Sequence, residues 1–465
     1  MTEQNNKAEN KNENKNKNKN DTISAEAALK ILMEAADRLA PDCTEIRRDL
    51  HMYPETCWTE FRTTCQVVRY LENGGLTAAL GKEIIDEGNV LDFPSEESLT
   101  SHRLRALAQG ADPAILRRVE EAGGYTGAAF EIEGGRPGPT VAFRFDMDAL
   151  PVEETEDSSH VPNQLDFRSK NPGFMHACGH DGHTAMGMVL ARILQENRNL
   201  LKGKIKVIFQ PAEEGVKGAL AMVGSGIVDD VDVMLGMHIY PTEKECPALA
   251  GTQTGLLATT KWGVTFTGKP AHAGGAPQEG HSAILAAVTA ISAMNGFLQD
   301  GRGSSRLNVG TISGGTARNV VPESCTFQAE TRGAETAVEA RLFDRATACV
   351  KAAAEMYECS WDMEITGKSP AGGGDADLAA KIAETAECLV PEICWSQEIQ
   401  VNTGTADDFC FFLDRVRSHG GTGSYMALLG NLSDGLHSSH YDFDESLLPA
   451  GVKTCIAALT LTGTL

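Results

Sequence analysis

The sequence predicts an α/β fold, a mainly parallel sheet with helices on both faces, interrupted by an inserted α+β sandwich. Three observations carry that prediction. From Thr126 to Tyr240, strand-like runs alternate with a segment of helical periodicity. Near Gly255 the order changes to strand–helix–strand–strand–helix–strand, the signature of a small separate sandwich. After Gly367 the α/β character returns and runs to the end of the chain.

The elements follow in order. The first twenty residues, MTEQNNKAENKNENKNKNKN, alternate Asn and Lys with nothing to bury, which predicts a disordered tail over 1–20. Helical text begins near Ile23 and passes Leu32 and Leu39, and a second helical stretch is expected from Cys43 to Met52. Between Gly81 and Gly124 lies a polar insert with helical pieces, ESLTSHRLRALA and DPAILRRVEEAGG, expected to shape one side of a cleft. TGAAFEIE and TVAFRFDM read as strands, rich in aromatic and β-branched residues. HTAMGMVLARILQEN has helical apolar spacing, with the helix expected to start near Thr184. KIKVIFQP is a buried strand stopped by Pro211, and VDVMLGMHIY is another.

In the sandwich, TKWGVTFTGKPAHA and SSRLNVGTISGG are strands, and NVVPESCTFQAETRG is expected to be a strand pair around a Pro turn. HSAILAAVTAISAMNGFL and ETAVEARLFDRATACVKAAAEMY supply the helices, and CSWDMEITG closes the set. The domain reading is therefore 21–255 and 368–465 for the two parts of the large domain, and 256–367 for the insert.

Composition narrows the function. The chain has 465 residues, 42% hydrophobic and 23% charged, ordinary for a globular protein of two or three domains. A formal charge of -23 argues against nucleic-acid binding, which needs basic surface, and leaves room for a small anionic substrate in a local basic pocket. Twelve cysteines without a CxxC pair read as free thiols in a reducing compartment. No apolar run approaches the ~20 residues that cross a bilayer, and the N-terminus lacks the apolar core of a secretory signal. A cytoplasmic location is expected.

The densest chemistry is FMHACGHDGHTA, which holds His176, Cys178, His180, Asp181 and His183. On a tight turn made by Gly179, Cys178 and His180 can face one point, and thiolate and imidazole are good ligands for a divalent transition metal. Three other readings stand beside it. Cys178 can be a buried small hydrophobe, or a nucleophile paired with a histidine, and the histidines can simply cap a helix. Other strand ends bear on the choice. KVIFQPAEEG ends in Glu213 and Glu214, VDVMLGMHIY in His238, and FRFDMDALP carries Asp146 and Asp148 two apart. DGLHSSHYDFDE adds His437 and His440 on a turn. In such sheets ligands gather at the carboxyl ends of strands. Together these groups suffice for two metals, which can activate a water and clamp a carbonyl oxygen.

HACGHDGHTA, FQPAEEG, DMDALP, RRDLHMYPE and GKPAHAG together resemble the aminoacylase/carboxypeptidase G-like metallopeptidases, and within them the amidohydrolase branch of hippurate and auxin-conjugate hydrolases. The resemblance spans about residues 40–460. It implies a zinc-peptidase-like large domain and an insert that serves as lid and dimerisation domain. It implies two divalent ions, Mn or Zn, held by Cys178, His180, Glu214, His238 and His437, with Cys178 shared between them. Glu213 matches the general base and Asp148 a group that orients a ligand. His272 matches a histidine reaching across a dimer to the scissile carbonyl. Asn319 and Arg332 match residues holding the substrate's terminal carboxylate, a task suited to the planar guanidinium fork. His176, Asp181 and His183 are expected to support the turn by hydrogen bonding.

The implied reaction is cleavage of an amide between an acyl or aroyl group and an amino acid, with p-aminobenzoyl-glutamate the favoured substrate. Other N-acyl amino acids and dipeptides are the alternative. The remaining readings are a thiol-dependent enzyme and a catalytically silent partner of the same fold. The chain is expected to form a homodimer, or a heterodimer with a related B subunit, through the insert.

Overall fold

The computed structural model describes residues 23–242, 246–297, 300–401 and 404–465; the expected tail over 1–20 lies outside them. Among the described residues thirteen strands form two sheets. The larger contains β1 (Ala78–Ala79), β2 (Ala128–Glu133), β3 (Arg136–Asp146), β4 (Lys202–Gln210), β5 (Val233–Pro241), β6 (Ala248–Leu256), β11 (Gly372–Gly373), β12 (Trp395–Val401) and β13 (Thr422–Gly430). Its order is β1-β2-β4-β3-β5-β13-β6-β11, with β12 also on β6. The central four strands, β4-β3-β5-β13, are mutually parallel, and antiparallel pairs lie towards the edges.

The parallel centre is buried from both sides, as its composition requires. On β3, Val141, Phe143 and Phe145 join one core, which includes Leu190 of helix His180–Glu196 and Ile456 of helix Leu447–Leu459. Ala142 turns to the opposite core, with Met222 of helix Gly218–Gly224 and Phe409 of helix Phe409–Ser418. This is the expected α/β layering.

The second sheet is antiparallel, in the order β10-β7-β9-β8, from β7 (Ala258–Thr267), β8 (Ser305–Gly314), β9 (Ser324–Gly333) and β10 (Ser360–Ser369). Helices Ala283–Met294 and Thr336–Met356 cover one face. Trp262, Val264, Phe266 and Phe327 point into that core, so alternate residues such as Lys261 occupy the other face. The element order is strand–helix–strand–strand–helix–strand.

Four local expectations are corrected. The first two helical stretches are one helix, Ala25–Met52, with Pro41 inside it. Packing of Leu32, Ala36, Cys43 and Leu50 outweighs the hydrogen bond that Pro41 removes. Only the second half of NVVPESCTFQAETRG is a strand; before Ser324 the chain makes a single bridge, Val320 to His272. The helix expected near Thr184 starts at His180, because Gly179 caps it in the left-handed region at φ 89°. Finally, Cys246 and Cys394 are disulfide-paired, 148 residues apart, while ten cysteines are free. The parallel pairing of β12 with β6 brings those two cysteines together.

Candidate metal centre and catalytic cleft

The carboxyl ends of β3, β4 and β5 and the turn after β13 converge on one edge of the large sheet. Cys178 and His180 reach the same edge from the start of helix His180–Glu196. The left-handed Gly179 lets them face one point. A Cβ at Gly179 would meet the Tyr441 hydroxyl at 2.7 Å.

Five overlapping groups of ligand atoms form there among the described residues, one of them Asp146 with His180 and His183, and three bear on the expected ligands. Cys178, His180 and His238 make one, Cys178, Glu214 and His437 a second, and His180, Glu213 and Glu214 a third. Within each group the ligand atoms lie within 4.8 Å of one another. Cys178 belongs to the first two groups and Glu214 to the last two. Cys178 Sγ is 3.4 Å from His238 Nε2, and His437 Nε2 is 3.5 Å from a Glu214 carboxylate oxygen.

The hydrogen bonds set each tautomer. His180 donates Nδ1–H to the Asp148 carbonyl at 2.9 Å, and His238 donates Nδ1–H to the Ile239 carbonyl at 2.8 Å. When the rings are neutral, as a metal would require, the Nε2 atom of each has a lone pair facing the cluster. His180 Nε2 and Glu214 Oε1 are buried without a hydrogen-bond partner. Buried polar atoms normally have partners, so these two mark places where a cation fits.

The electrostatics agree. Burial, then the carboxylates of Glu214 and Glu213, push the Cys178 thiol well above its ordinary value. Burial, then Asp407, Glu214 and Asp408, push the Glu213 carboxyl up, and Glu214 is raised to about 7 chiefly by burial. The cluster has too little positive charge for its donors to ionise together. Thiolate, imidazole and carboxylate donors around such a deficit suit Zn²⁺ or Mn²⁺.

Asp148 ties the elements to one another. Its carboxylate accepts from the backbone N–H of Glu213 and of Glu214, both at 3.0 Å. Glu60 holds the preceding residue by accepting from Ala212 N–H at 2.8 Å. These contacts fix a turn in which Ala212 and Val216 both have positive φ, a costly backbone state that the surrounding hydrogen bonds maintain.

The neighbouring histidines divide differently. Both nitrogens of His183 are engaged: Nδ1 donates to Asp146 at 2.6 Å and Nε2 accepts from Ile239 N–H at 3.0 Å. Asp181 accepts from Arg47 and His51, bracing the turn from below. His176 departs from its expected hydrogen-bonding role. Neither of its buried nitrogens has a partner, and burial lowers its pKa to about 3. His440 is exposed beside Ser439 and lies outside the ligand groups, whereas His437 is anchored by its N–H on the Ala177 carbonyl at 2.7 Å.

The insert residues separate. Arg332 is at the near end of β9, where its guanidinium holds Glu330 and donates to the Gly404 carbonyl at 2.6 Å. His272 and Asn319 are exposed at the far end of the same sheet. Thr259 pairs with Arg332 and Thr267 with Ser324, eight residues apart, which is about 26 Å along a strand. One chain does not bring His272 and Asn319 to its own metal cluster. His272 Nδ1 accepts from Gly274 and Gly275 N–H, so the neutral ring carries its proton on Nε2.

A buried charge network under Glu213 escaped the sequence reading. Arg144 is fully buried and contacts Asp146 at 2.5 Å, Gln210 at 2.7 Å, Asp408 at 3.3 Å and Asp407 at 3.6 Å. Glu213, Asp407 and Asp408 place carboxylate oxygens within 4.8 Å of one another. The signal was present: an arginine inside the apolar strand VAFRF needs buried carboxylates, and the adjacent Asp407–Asp408 pair supplies them.

Residues 142–460 match the model for peptidase family M20/M25/M40. The chain is 40% identical to an indole-3-acetyl-aspartic acid hydrolase of Enterobacter agglomerans, covering 92% of this chain and 97% of that one. It is 39% identical to the A subunit of p-aminobenzoyl-glutamate hydrolase from Escherichia coli K12, with the same coverages. Among solved structures it is similar to an aminobenzoyl-glutamate utilization protein from Klebsiella pneumoniae, at TM-score 0.78 and 36% identity, covering 92% of this chain and 98% of that one.

Proposed function

The chain belongs to peptidase family M20/M25/M40 and is a metal-dependent amidohydrolase, and from that membership we propose that it is a two-metal enzyme cleaving p-aminobenzoyl-glutamate to p-aminobenzoate and glutamate. The observation that carries the two-metal reading is the sharing of Cys178 and Glu214 between adjacent ligand groups, with Glu213 beside them.

Cys178, His180, Glu214, His238 and His437 would hold the ions, which when bound supply a Lewis acid for the carbonyl oxygen and make a water acidic at neutral pH. Glu213 takes the proton of the attacking water and returns it to the leaving nitrogen. Its burial and carboxylate neighbours give it the raised proton affinity this shuttle needs. Asp148 keeps Glu213 and Glu214 in register with His180. Arg332 receives the α-carboxylate of the amino-acid half.

His272 and Asn319 act in the partner's cleft, and the outward Nε2–H of His272 donates to the oxyanion. This assigns 256–367 to lid and dimerisation, and the partner to a second copy or a related B subunit. A cytoplasmic location is proposed on the ten free cysteines, with the single Cys246–Cys394 disulfide counting against it. Among the described residues no helix is long and apolar enough to cross a membrane. The Glu214 carboxylate suits manganese and the Cys178 thiolate with the three imidazoles suits zinc, so either ion is proposed.

A second reading, hydrolysis of N-acyl aspartates, is favoured by the 40% identity to the indole-3-acetyl-aspartic acid hydrolase. The test is release of p-aminobenzoate or indole-3-acetate by purified protein with added Mn²⁺ or Zn²⁺. Release of the first upholds the leading reading, release of indole-3-acetate alone selects the second, and release of neither defeats both.

A further inference from the structure

The open face of the insert sheet, turned away from its two helices, meets the metal cluster at one place. Gly367 on β10 lies opposite Lys261 on β7, and it approaches Gly215 so closely that an added Cβ would be 2.0 Å from the Gly215 carbonyl oxygen. Lys368 N–H then donates to the Val216 carbonyl at 2.8 Å. Lys261 is thus one strand away from the Glu214 turn. Its ammonium is near enough to act electrostatically on both Glu214 and His437.

Lys261 also lines a cavity of about 310 Å³ between this sheet and the loop carrying Asp92. The charges around that cavity do not balance. Glu330, directly opposite Lys261, is held by the fork of Arg332 at 3.1 and 3.2 Å. Asp92 is held by Lys217. Among the described residues the Lys261 ammonium makes neither a hydrogen bond nor an ion pair within 4.0 Å, and its electrostatic neighbours are Glu214 and His437. A half-buried lysine that makes no ion pair, in a cavity whose two carboxylates, Asp92 and Glu330, are held by other cations, is a site for an anion.

We infer that Lys261 binds the side-chain carboxylate of the substrate's amino-acid half, making the enzyme selective for N-acyl derivatives of acidic amino acids. The inference rests on the proposed amidohydrolase function, in which the two Nη–H bonds of Arg332 not used by Glu330 and the Gly404 carbonyl take the α-carboxylate. Arg332 pairs with Thr259 and Lys261 with Glu330, so the two cations are diagonal neighbours on one sheet face, their backbones about 7–8 Å apart. Two cations so spaced, each on a long side chain, receive the two carboxylates of one small dicarboxylic amino acid.

The test compares p-aminobenzoyl-glutamate with p-aminobenzoyl-glutamine, which has the same shape without the second charge, for the manganese-loaded wild type, Lys261→Met and Lys261→Arg. The wild type is expected to favour the glutamate conjugate. Lys261→Met lowers kcat/KM on that conjugate about tenfold to a hundredfold more than on the glutamine conjugate, the loss of one charge-assisted hydrogen bond. Lys261→Arg retains the preference. An equal loss on both conjugates, or no loss on either, overturns the inference. If the wild type cleaves neither, the proposed function fails, and calorimetry with L-glutamate and L-glutamine then judges the subsite alone. A preference for glutamate that Lys261→Met abolishes upholds it, and indifference to Lys261 overturns it.

Discussion

The imidazole of His180 donates its Nδ1–H to the backbone carbonyl of Asp148 across 2.9 Å. A carbonyl only accepts, so this bond reserves His180 Nε2 for a metal. Without metal that ring is protonated: burial alone would lower its pKa, but Asp146 and Asp148 raise it to about 10. The Cys178 thiol is protonated too, because burial and two glutamates raise it. Loading chelator-stripped protein with Mn²⁺ or Zn²⁺ should therefore release about two protons or more per chain, and affinity should rise with pH. Calorimetry in buffers of different ionisation enthalpy measures the release. Uptake without release means that these two residues are not ligands.

Glu213→Gln should keep its full metal content and lose activity. The amide preserves the backbone bond to Asp148 and the shape of the turn but cannot shuttle a proton. General acid–base catalysis contributes about 10²–10⁴-fold, so kcat should fall by that factor. Elemental analysis beside steady-state kinetics checks both halves. A variant that is inactive because it has lost metal would make Glu213 a ligand.

Gly179→Ala should disturb stability and metal binding together. The left-handed backbone costs a side-chain-bearing residue about 1–2 kcal/mol, and the new Cβ would meet Tyr441 at 2.7 Å. Relief of that clash would turn Cys178 away from His180. A lowered melting temperature with metal content well under the wild-type value is the expected pair of results.

Glu154 sets part of the acid limit of stability. Burial alone would raise its carboxyl, but hydrogen bonds from His160, His51 and the Ser169 N–H bring it to about 2, against an ordinary 4.5. A depressed carboxyl stabilises the fold above pH 4.5, and that contribution fades as pH falls through about 2. Glu154→Gln should therefore be less stable than the wild type near pH 6, by up to about 3 kcal/mol, with the gap closing towards pH 2. Melting curves across that range follow it.

What could be read in advance divides along physical lines. The clustering of Cys178, His180, Glu213–Glu214 and His238 was legible because each flanks a glycine turn or lies at the end of an apolar run, where local sequence reports position. The layering of the large sheet was legible for the same reason. Arg144 with Asp407 and Asp408 was not, since its partners lie more than 260 residues away, at the start of helix Phe409–Ser418. The Cys246–Cys394 pair and the counter-ion deficit at Lys261 depend on strand register. The division expected between Leu39 and Cys43 is absent, and Pro41 lies inside one helix held by long-range packing.

The separation of His272 from its own cluster gives a prediction about assembly. If His272 serves the partner's cleft, two inactive variants should complement. In a heterodimer of Glu213→Gln and His272→Ala, the His272→Ala chain keeps its own Glu213 and receives His272 from its partner, so one of the two sites is complete. Random mixing makes half of the dimers mixed, so activity should recover to about a quarter of the wild-type value, while each variant alone remains inactive. The mixture should be assayed after dissociation and reassembly. Recovery would mean that this chain pairs with itself and that His272 acts in trans. No recovery from a reassembled homodimer would mean that the histidine serves its own cleft through closure of the insert. A chain that forms no homodimer would need His272 placed on, or supplied by, a related B subunit, and adding that subunit to His272→Ala alone would then restore turnover.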